Sequence, residues 1–571
     1  MTRFDPITIA DLRVAYAAGE KRAEEVVAEC YRRIRLRDGD HVWITLRPEE
    51  EVVAEAAASD PHLPLYGIPF AVKDNIDVAG LPTTAACPAF TRYPEQTAFV
   101  VRQLQAAGAL LIGKTNMDQF ATGLVGTRTP YGACSSVYHP EYVSGGSSSG
   151  SAVAVAAGEV AFSLGTDTAG SGRVPAAFNN LVGVKPTRGL LSTQGVLPAC
   201  RSLDCVSIFA HSIQDAEDVL KIAATFDDAD SWARKAPVPH VLCNQRIGVP
   251  DSSQLEFFGD AEAERLFHES GARLSSQGFQ IVTIDITPFL EAARLLYSGA
   301  WLAERDHAVG EFLRSHHDEV DPTVRDIILG ASKLSAVDAF DGIYRLQDYR
   351  AQSLAVWEEV DAMLLPTTPT IYKIAEVQND PVRLNARLGL YTNFVNLLDL
   401  SALAIPAGFR ADGLPLGVTL LAPAFHDYAL LEIARGQLHA EETVAVAVVG
   451  AHLRGLPLNS QLTQRGAIFE AEVKTSASYR LYDLKTVPPK PGLIRDVEQG
   501  QPIDVEIWKM PIAELGSFVA LIPPPLCMGN IELADGRWVK GFLCEAAAVV
   551  SAPDITVHGG WRNYLQSGRP A

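Results

Sequence analysis

Two small-residue turns and one lysine in this chain have the types and spacing to open an acyl bond. Ser147, Ser148 and Ser149 lie in a Gly/Ser run over 145–151, and Ser171 lies in a second turn over 166–172. Lys73 closes the apolar run in GIPFAVKDNIDVA, residues 67–79. A serine hydroxyl is a weak nucleophile and needs a base. The usual base is histidine, and the nearest in sequence, His139 and His211, sit in no recognisable triad motif, although triad members meet only in space. A lysine can serve instead if burial lowers its pKa; read alone, Lys73 is a lysine at the exposed end of a strand. Glycine lets the backbone turn sharply and lets a ligand approach it. Two such turns, each leading into a candidate helix, place N–H groups and hydroxyls where an oxyanion can sit. A flexible linker has the same Gly/Ser content, but its flanks are polar, and here they are Val, Ala, Phe and Leu.

The elements that must carry these turns alternate between strand and helix. IPFAV reads as a strand, TAFVVRQLQAAG as a helix and ALLIG as a strand; 116–123 reads as a short helix, 161–165 as a strand and 174–180 as a helix. Further on, 247–250, 279–284, AMLLP and 418–422 read as strands, with helices over 261–277, 288–310, 335–360 and 428–438. This alternation argues an α/β layered fold. Residues 8–36 read as two amphipathic helices. At HAEET, 439–443, the texture changes to short β-like runs: VAVVGAH, AIFEAEV, YRLYDL, DVEIWKM, VALIP and IELADGRWVKGFLC. The expected organisation is an α/β domain over 1–440 and a smaller β-rich domain over 445–571.

With 571 residues the chain exceeds one ordinary core. Its net charge of −20 disfavours nucleic acid and anionic membranes as partners. No apolar run is long enough to span a bilayer, and the segment after Met1 lacks the apolar core of a signal peptide. The eight cysteines, at 30, 87, 134, 200, 205, 243, 527 and 544, form no C-x-x-C and read as free thiols of a cytoplasmic protein. Cys200 and Cys205 have no nearby Cys/His pair, so no zinc site is expected.

Three motifs in this order, GIPFAVKDN around Lys73, GGSSSGS from Gly145 and GTDTAGSGR from Gly165, resemble the amidase signature family. The resemblance implies a mixed central sheet covered by helices. It implies a Ser–cis-Ser–Lys triad of Ser171, Ser147 and Lys73; the two serines lie 24 apart (171 minus 147). It further implies an oxyanion hole of Thr168, Ala169, Gly170 and Ser171, with no metal or organic cofactor.

Residues 116–132, 165–180 and LLYSGAWLAERD, 295–306, are similar to the allophanate hydrolase branch of that family. There a Tyr and an Arg hold the substrate carboxylate, which places those roles on Tyr297 and Arg305. Arginine's planar fork suits a carboxylate, and on one helix over 288–310 the two residues share a side about two turns apart. Without the resemblance, Arg305 reads as a surface partner of Glu304 or Asp306. VVGAHLRGLPLNSQL from Val448 resembles the second domain of these enzymes, a γ-glutamylcyclotransferase-like fold; His452, Asn459 and Gln461 stand out there, with no catalytic role assigned. The implied activity is hydrolysis of the small molecule allophanate to ammonia and carbon dioxide in urea degradation, by a homodimer linked in function to a urea carboxylase. The N-terminal helices are expected on the partner protomer. The alternatives are a biuret or small-amide hydrolase, the glutaminase subunit of a tRNA-dependent amidotransferase, and a scaffold that keeps the fold without activity.

Overall fold

The computed structural model describes residues 4–568 except 238–244, 439–442, 464, 466 and 487. The chain divides into two compact units, Met1–Leu438 and His439–Ala571. Cys243 lies outside the described residues, as does most of the HAEET boundary segment.

In the first unit, eleven described strands form one mixed sheet. In chain order they are β1 (Trp43–Leu46), β2 (Pro69–Lys73), β3 (Leu110–Thr115), β4 (Phe162–Asp167), β5 (Val182–Lys185), β6 (Cys205–Ala210), β7 (Arg246–Pro250), β8 (Gln280–Ile284), β9 (Ala362–Pro366), β10 (Leu400–Phe409) and β11 (Pro415–Pro423). Their spatial order is β1-β3-β2-β4-β6-β5-β10-β11-β9-β7-β8. β2 runs parallel to both β3 and β4, and β4 pairs antiparallel with β6. Strands inside such a sheet are covered on both faces, so they read as continuous apolar runs. All residues of β2, β3, β4 and β6 are buried. Phe70 and Phe162 stack across β2 and β4 with centroids 5.1 Å apart.

The helices that matter to function follow from local rules. Thr8 caps α1 (Ile9–Ala17) by accepting from the Asp11 N–H, and α2 is Ala23–Leu36. α3 (Ser149–Ala156) is made of small residues and is wholly buried; a Cβ on Gly150 would lie 2.5 Å from the Val42 carbonyl and 2.6 Å from the Asn116 nitrogen. α4 is Val174–Phe178. The helix expected over 288–310 is two helices, α5 (Thr287–Ser298) and α6 (Trp301–Ser315). Gly299 breaks it by adopting an extended conformation at φ −124°, ψ −162°. α7 (Ala336–Glu359) opens with a capping box between Ser335 and Asp338.

Two other expectations fail for stated reasons. Over 116–123 only one 3₁₀ turn forms, Gln119–Ala121, because Phe120 takes φ +49°. VALIP is no strand: the helix Ile512–Val519 ends within it, and Pro523 cannot continue that helix. Three strands of the sheet centre, β5, β6 and β10, went unread. They carry no two-residue period, and Gly183, Ser207 and Pro406 interrupt their apolar runs.

The second unit holds a five-stranded sheet of β12 (Thr443–Val448), β13 (Ile468–Lys474), β14 (Asp504–Pro511), β15 (Leu526–Glu532) and β16 (Trp538–Cys544), in the order β13-β14-β12-β16-β15. Its own core includes Val446, Ile507, Trp508 and Trp561.

Candidate active site

β2, inside the sheet between β3 and β4, ends on Lys73. Its side chain is fully buried. Burial lowers its pKa to about 7, against the opposing pull of Asp118, Asp204 and Asp167. Lys73 Nζ donates to Ser147 Oγ at 2.8 Å and to Thr166 Oγ1 at 2.8 Å. Ser147 Oγ in turn lies 2.9 Å from Ser171 Oγ. The three residues the sequence singled out therefore form one continuous chain of hydrogen bonds. Because either serine hydroxyl can rotate, the chain can carry a proton from Ser171 to a neutral Lys73.

Ser147 stands at the start of the turn into α3. The Gly146–Ser147 peptide bond is cis. A Cβ on Gly146 would collide with the Asp118 carboxylate. That carboxylate also accepts from the Val125, Gly126 and Arg128 N–H groups, at 3.2, 3.0 and 2.9 Å. The glycines here let two loops approach at backbone distance.

Ser171 stands in the turn between β4 and α4, and Asp167 organises that turn. Asp167 accepts from the Gly170 and Gly172 N–H groups at 2.9 and 3.0 Å and from Arg173 through two nitrogens at 2.9 and 3.0 Å. Burial pushes the Asp167 pKa up, but Arg173 overrides this and holds it below the usual carboxylate range. Gly170 has φ +130°, and a Cβ there would sit 2.5 Å from Thr392 Oγ1. Of the four N–H groups expected to face an oxyanion, that of Gly170 is thus already engaged by Asp167. Those of Thr168, Ala169 and Ser171 have no acceptor among the described residues.

Arg305 is 1% exposed. Its Nη1 donates to Thr122 Oγ1 at 2.9 Å, while Nε and Nη2 have no hydrogen-bond partner among the described residues. The expected surface pairing with Glu304 or Asp306 does not occur: Glu304 accepts from Ser202, and Asp306 pairs with Arg314. Tyr297 and Arg305 lie on successive helices, α5 and α6, yet the guanidinium carbon is 5.6 Å from the Tyr297 ring centroid. Buried donors are nearly always paired. A guanidinium with two free donors is therefore set to take an anion with two oxygens.

Several contributors were not read from the sequence. Thr166 shares the Lys73 ammonium, Thr122 holds Arg305, and Asp204 accepts from Thr168 Oγ1. Thr166 and Thr122 stand inside the quoted stretches 165–180 and 116–132 with no role assigned, and Thr168 was named for its N–H group, not its hydroxyl. In the second unit, His452 Nε2 lies 2.9 Å from Gln461 Oε1, and Asn459 Nδ2 donates to the His452 carbonyl at 2.9 Å. The His452 ring stacks on Phe542 at 4.9 Å, and burial lowers its pKa. Among the described residues no group of three His, Cys, Asp or Glu side chains is placed to hold a metal. No helix among them is long and apolar enough to cross a membrane.

Comparison with known proteins agrees with this architecture. Residues 444–566 match the family described as allophanate hydrolase C-terminal domain. The chain is 44% identical over 574 residues to the urea amidolyase of Saccharomyces cerevisiae, covering 92% of this chain and 31% of that protein. It therefore spans about a third of the length of that relative. It is 35% identical over 475 residues to a glutamyl-tRNA(Gln) amidotransferase subunit of Symbiobacterium thermophilum, covering 75% and 95% of the two chains. Among solved structures, the allophanate hydrolase of Kluyveromyces lactis superposes with a TM-score of 0.73 at 41% identity, over all of both chains. Residues 25–431, which hold both serine turns, Lys73 and the Tyr297–Arg305 pair, match the Amidase family, and the chain belongs to it.

Proposed function

We propose that the protein is an allophanate hydrolase that uses Ser171 as nucleophile, Ser147 as proton relay and Lys73 as base. The observation that carries the substrate assignment is the buried Arg305 with two unpaired donors. Allophanate is a urea bearing a carboxylate on one nitrogen. Its carboxylate meets Arg305 and the Tyr297 hydroxyl, and its terminal amide meets Ser171. Neutral Lys73 accepts, through Ser147, the proton that Ser171 loses as it attacks the amide carbonyl. The N–H groups of Thr168, Ala169 and Ser171 face the developing oxyanion. The same proton passes to the leaving nitrogen and ammonia departs. Water then attacks the acyl-Ser171 ester by the reverse relay, and the released dicarboxylate loses carbon dioxide.

The names of the relatives support this reading, and so does the second domain, which the glutaminase component of an amidotransferase does not need. A biuret or plain amide hydrolase has no use for a buried, unpaired guanidinium. Because allophanate is carboxylated urea, the enzyme is placed downstream of a urea-carboxylating activity in urea degradation. We further propose a cytoplasmic homodimer. Ammonia release from allophanate, urea, biuret and propionamide tests the substrate assignment: allophanate should be preferred by orders of magnitude in kcat/KM, and a preference for biuret or propionamide would refute it.

A further inference from the structure

Resting on that reading, we propose that Asp204 is a positioning residue that sets the span between the N–H turn of Ser171 and the helix of Arg305. One short substrate must reach both. The Asp204 carboxylate joins the two sides. Its Oδ1 accepts the Thr168 hydroxyl, at the start of the turn, and the Cys200 N–H at 3.2 Å. Its Oδ2 accepts the Ala199 N–H at 2.8 Å, and its own N–H donates to the Cys200 carbonyl at 2.9 Å. One carboxylate thus closes the loop 199–204 and ties it to the turn.

The same loop grips the first turn of α6. The Cys200 thiol lies 3.4 Å from the Trp301 carbonyl. Ser202 donates to Glu304 through its N–H at 3.1 Å and its hydroxyl at 2.6 Å, and Arg305 follows Glu304 in the chain. Beneath these bonds, Ala169 of the turn, Cys200 and Leu203 of the loop and Trp301 of α6 pack in one buried cluster, with Tyr297 against it. Asp204 thus couples the turn to the loop, and Ser202 couples the loop to the clamp helix. A second tie keeps the loop folded without it: Asn396 Nδ2 donates to the Asp167 and Leu203 carbonyls at 2.8 and 2.9 Å.

The two sides separate in kinetics. Thr168→Val cuts only the turn side, Ser202→Ala only the clamp side, and Asp204→Asn both, because an amide cannot accept from all three donors. kcat and KM for ammonia release from allophanate and propionamide, with thermal unfolding to confirm folding, make the test. Thr168→Val should lower kcat roughly tenfold or more on both substrates, the loss expected for a bond to a charged group, with little change in KM. Thr168→Ser, which keeps the hydroxyl, should restore it. Ser202→Ala should raise KM for allophanate and leave propionamide unchanged. Asp204→Asn should show both effects, and adding Thr168→Val to it should lower kcat no further.

Equal loss on both substrates in Asp204→Asn with an unchanged allophanate KM would overturn the proposal, as would failure of Thr168→Ser to restore kcat. If Asp204→Asn does not fold, the Thr168 and Ser202 variants still decide each half. A wild-type protein that does not prefer allophanate would refute the substrate reading instead, and the Thr168 pair would then be judged on propionamide alone.

Discussion

Replacing Arg305 by glutamine removes a guanidinium that is 1% exposed and keeps two donors, Nε and Nη2, without partners. A charge-assisted hydrogen bond contributes about 1.5–3 kcal/mol, so two of them to the substrate carboxylate amount to about 3–6 kcal/mol. At about 1.4 kcal/mol per tenfold, kcat/KM for allophanate should fall roughly 10²- to 10⁴-fold in Arg305→Gln. Arg305→Lys should not rescue it, because an ammonium cannot hold Thr122 Oγ1 and present a two-pronged fork at once. Tyr297→Phe should show a smaller loss with the same selectivity. Propionamide has no carboxylate, so its slow hydrolysis should be nearly unchanged in all three. The folded state should lose little, because unpaired buried donors cost stability rather than provide it. The assay is initial ammonia release on both substrates beside a thermal unfolding curve. Equal loss on allophanate and propionamide, with a lowered unfolding midpoint, would make Arg305 a structural residue and refute the clamp.

Five further outcomes follow from the same geometry. Lys73 acts as a base only when neutral, so kcat/KM should rise with pH through about 7, where burial has placed its pKa; a profile flat from about pH 5.5 to 8.5 would exclude it. The unfolded chain binds the Lys73 proton up to its ordinary pKa of 10.5 and the folded chain only to about 7, so Lys73→Met should remove a rise in stability with pH across that window. Ser171→Ala and Lys73→Ala should each abolish turnover, and the double variant should be little worse than either, since one relay is broken once; multiplicative losses would separate the two roles. Gly170→Ala should collapse kcat, because it forces a Cβ to 2.5 Å from Thr392 Oγ1 at φ +130°, and an active Gly170→Ala enzyme would show that the turn is not held rigid. A chain ending at Leu438 should retain measurable ammonia release, since every proposed site residue lies before it; soluble but inactive protein would assign the second domain a part in the chemistry.

What was legible in the sequence was legible for local reasons. The Gly/Ser turns stood out because their glycine density between apolar flanks is unusual in itself, Lys73 gained its reading only beside them, and β2 to β4 showed as apolar runs. The centre of the sheet did not show: β5, β6 and β10 carry no alternation, and Gly183, Ser207 and Pro406 interrupt their apolar runs. The helix expected over 288–310 runs through Gly299, and an isolated glycine inside a helical pattern does not by itself mark a break. Its extended conformation splits α5 from α6, so the expected two-turn spacing of Tyr297 and Arg305 on one helix face does not describe how they meet. The oxyanion turn was found as a motif, but the capture of the Gly170 N–H by Asp167 could not be, since both groups belong to the same motif and only geometry says which is spent.

That difference also explains why the nearest supports of the site were missed. Thr122 reaches Arg305 across 183 residues, and Asn396 reaches the Asp167 carbonyl across 229. Such contacts leave no mark on local composition, because a threonine or asparagine is ordinary anywhere in a loop. They are needed here because the site buries an ammonium, the guanidinium groups of Arg128, Arg173 and Arg305, and three carboxylates, Asp118, Asp167 and Asp204. Buried charges persist only when hydrogen bonds satisfy them, and each is met from a different part of the chain: Lys73 by Ser147 and Thr166, Asp118 by the 125–128 loop, Asp167 by Arg173, and Asp204 by Thr168 and the 199–200 backbone. Among the described residues, Arg128 leaves Nε and Arg173 leaves Nη1 without a partner, whereas Arg305 leaves two nitrogens, Nε and Nη2. Two open donors on a single buried side chain are a cost the fold carries without substrate, and on the proposed reading the carboxylate that relieves it is the part of allophanate that a simple amide lacks.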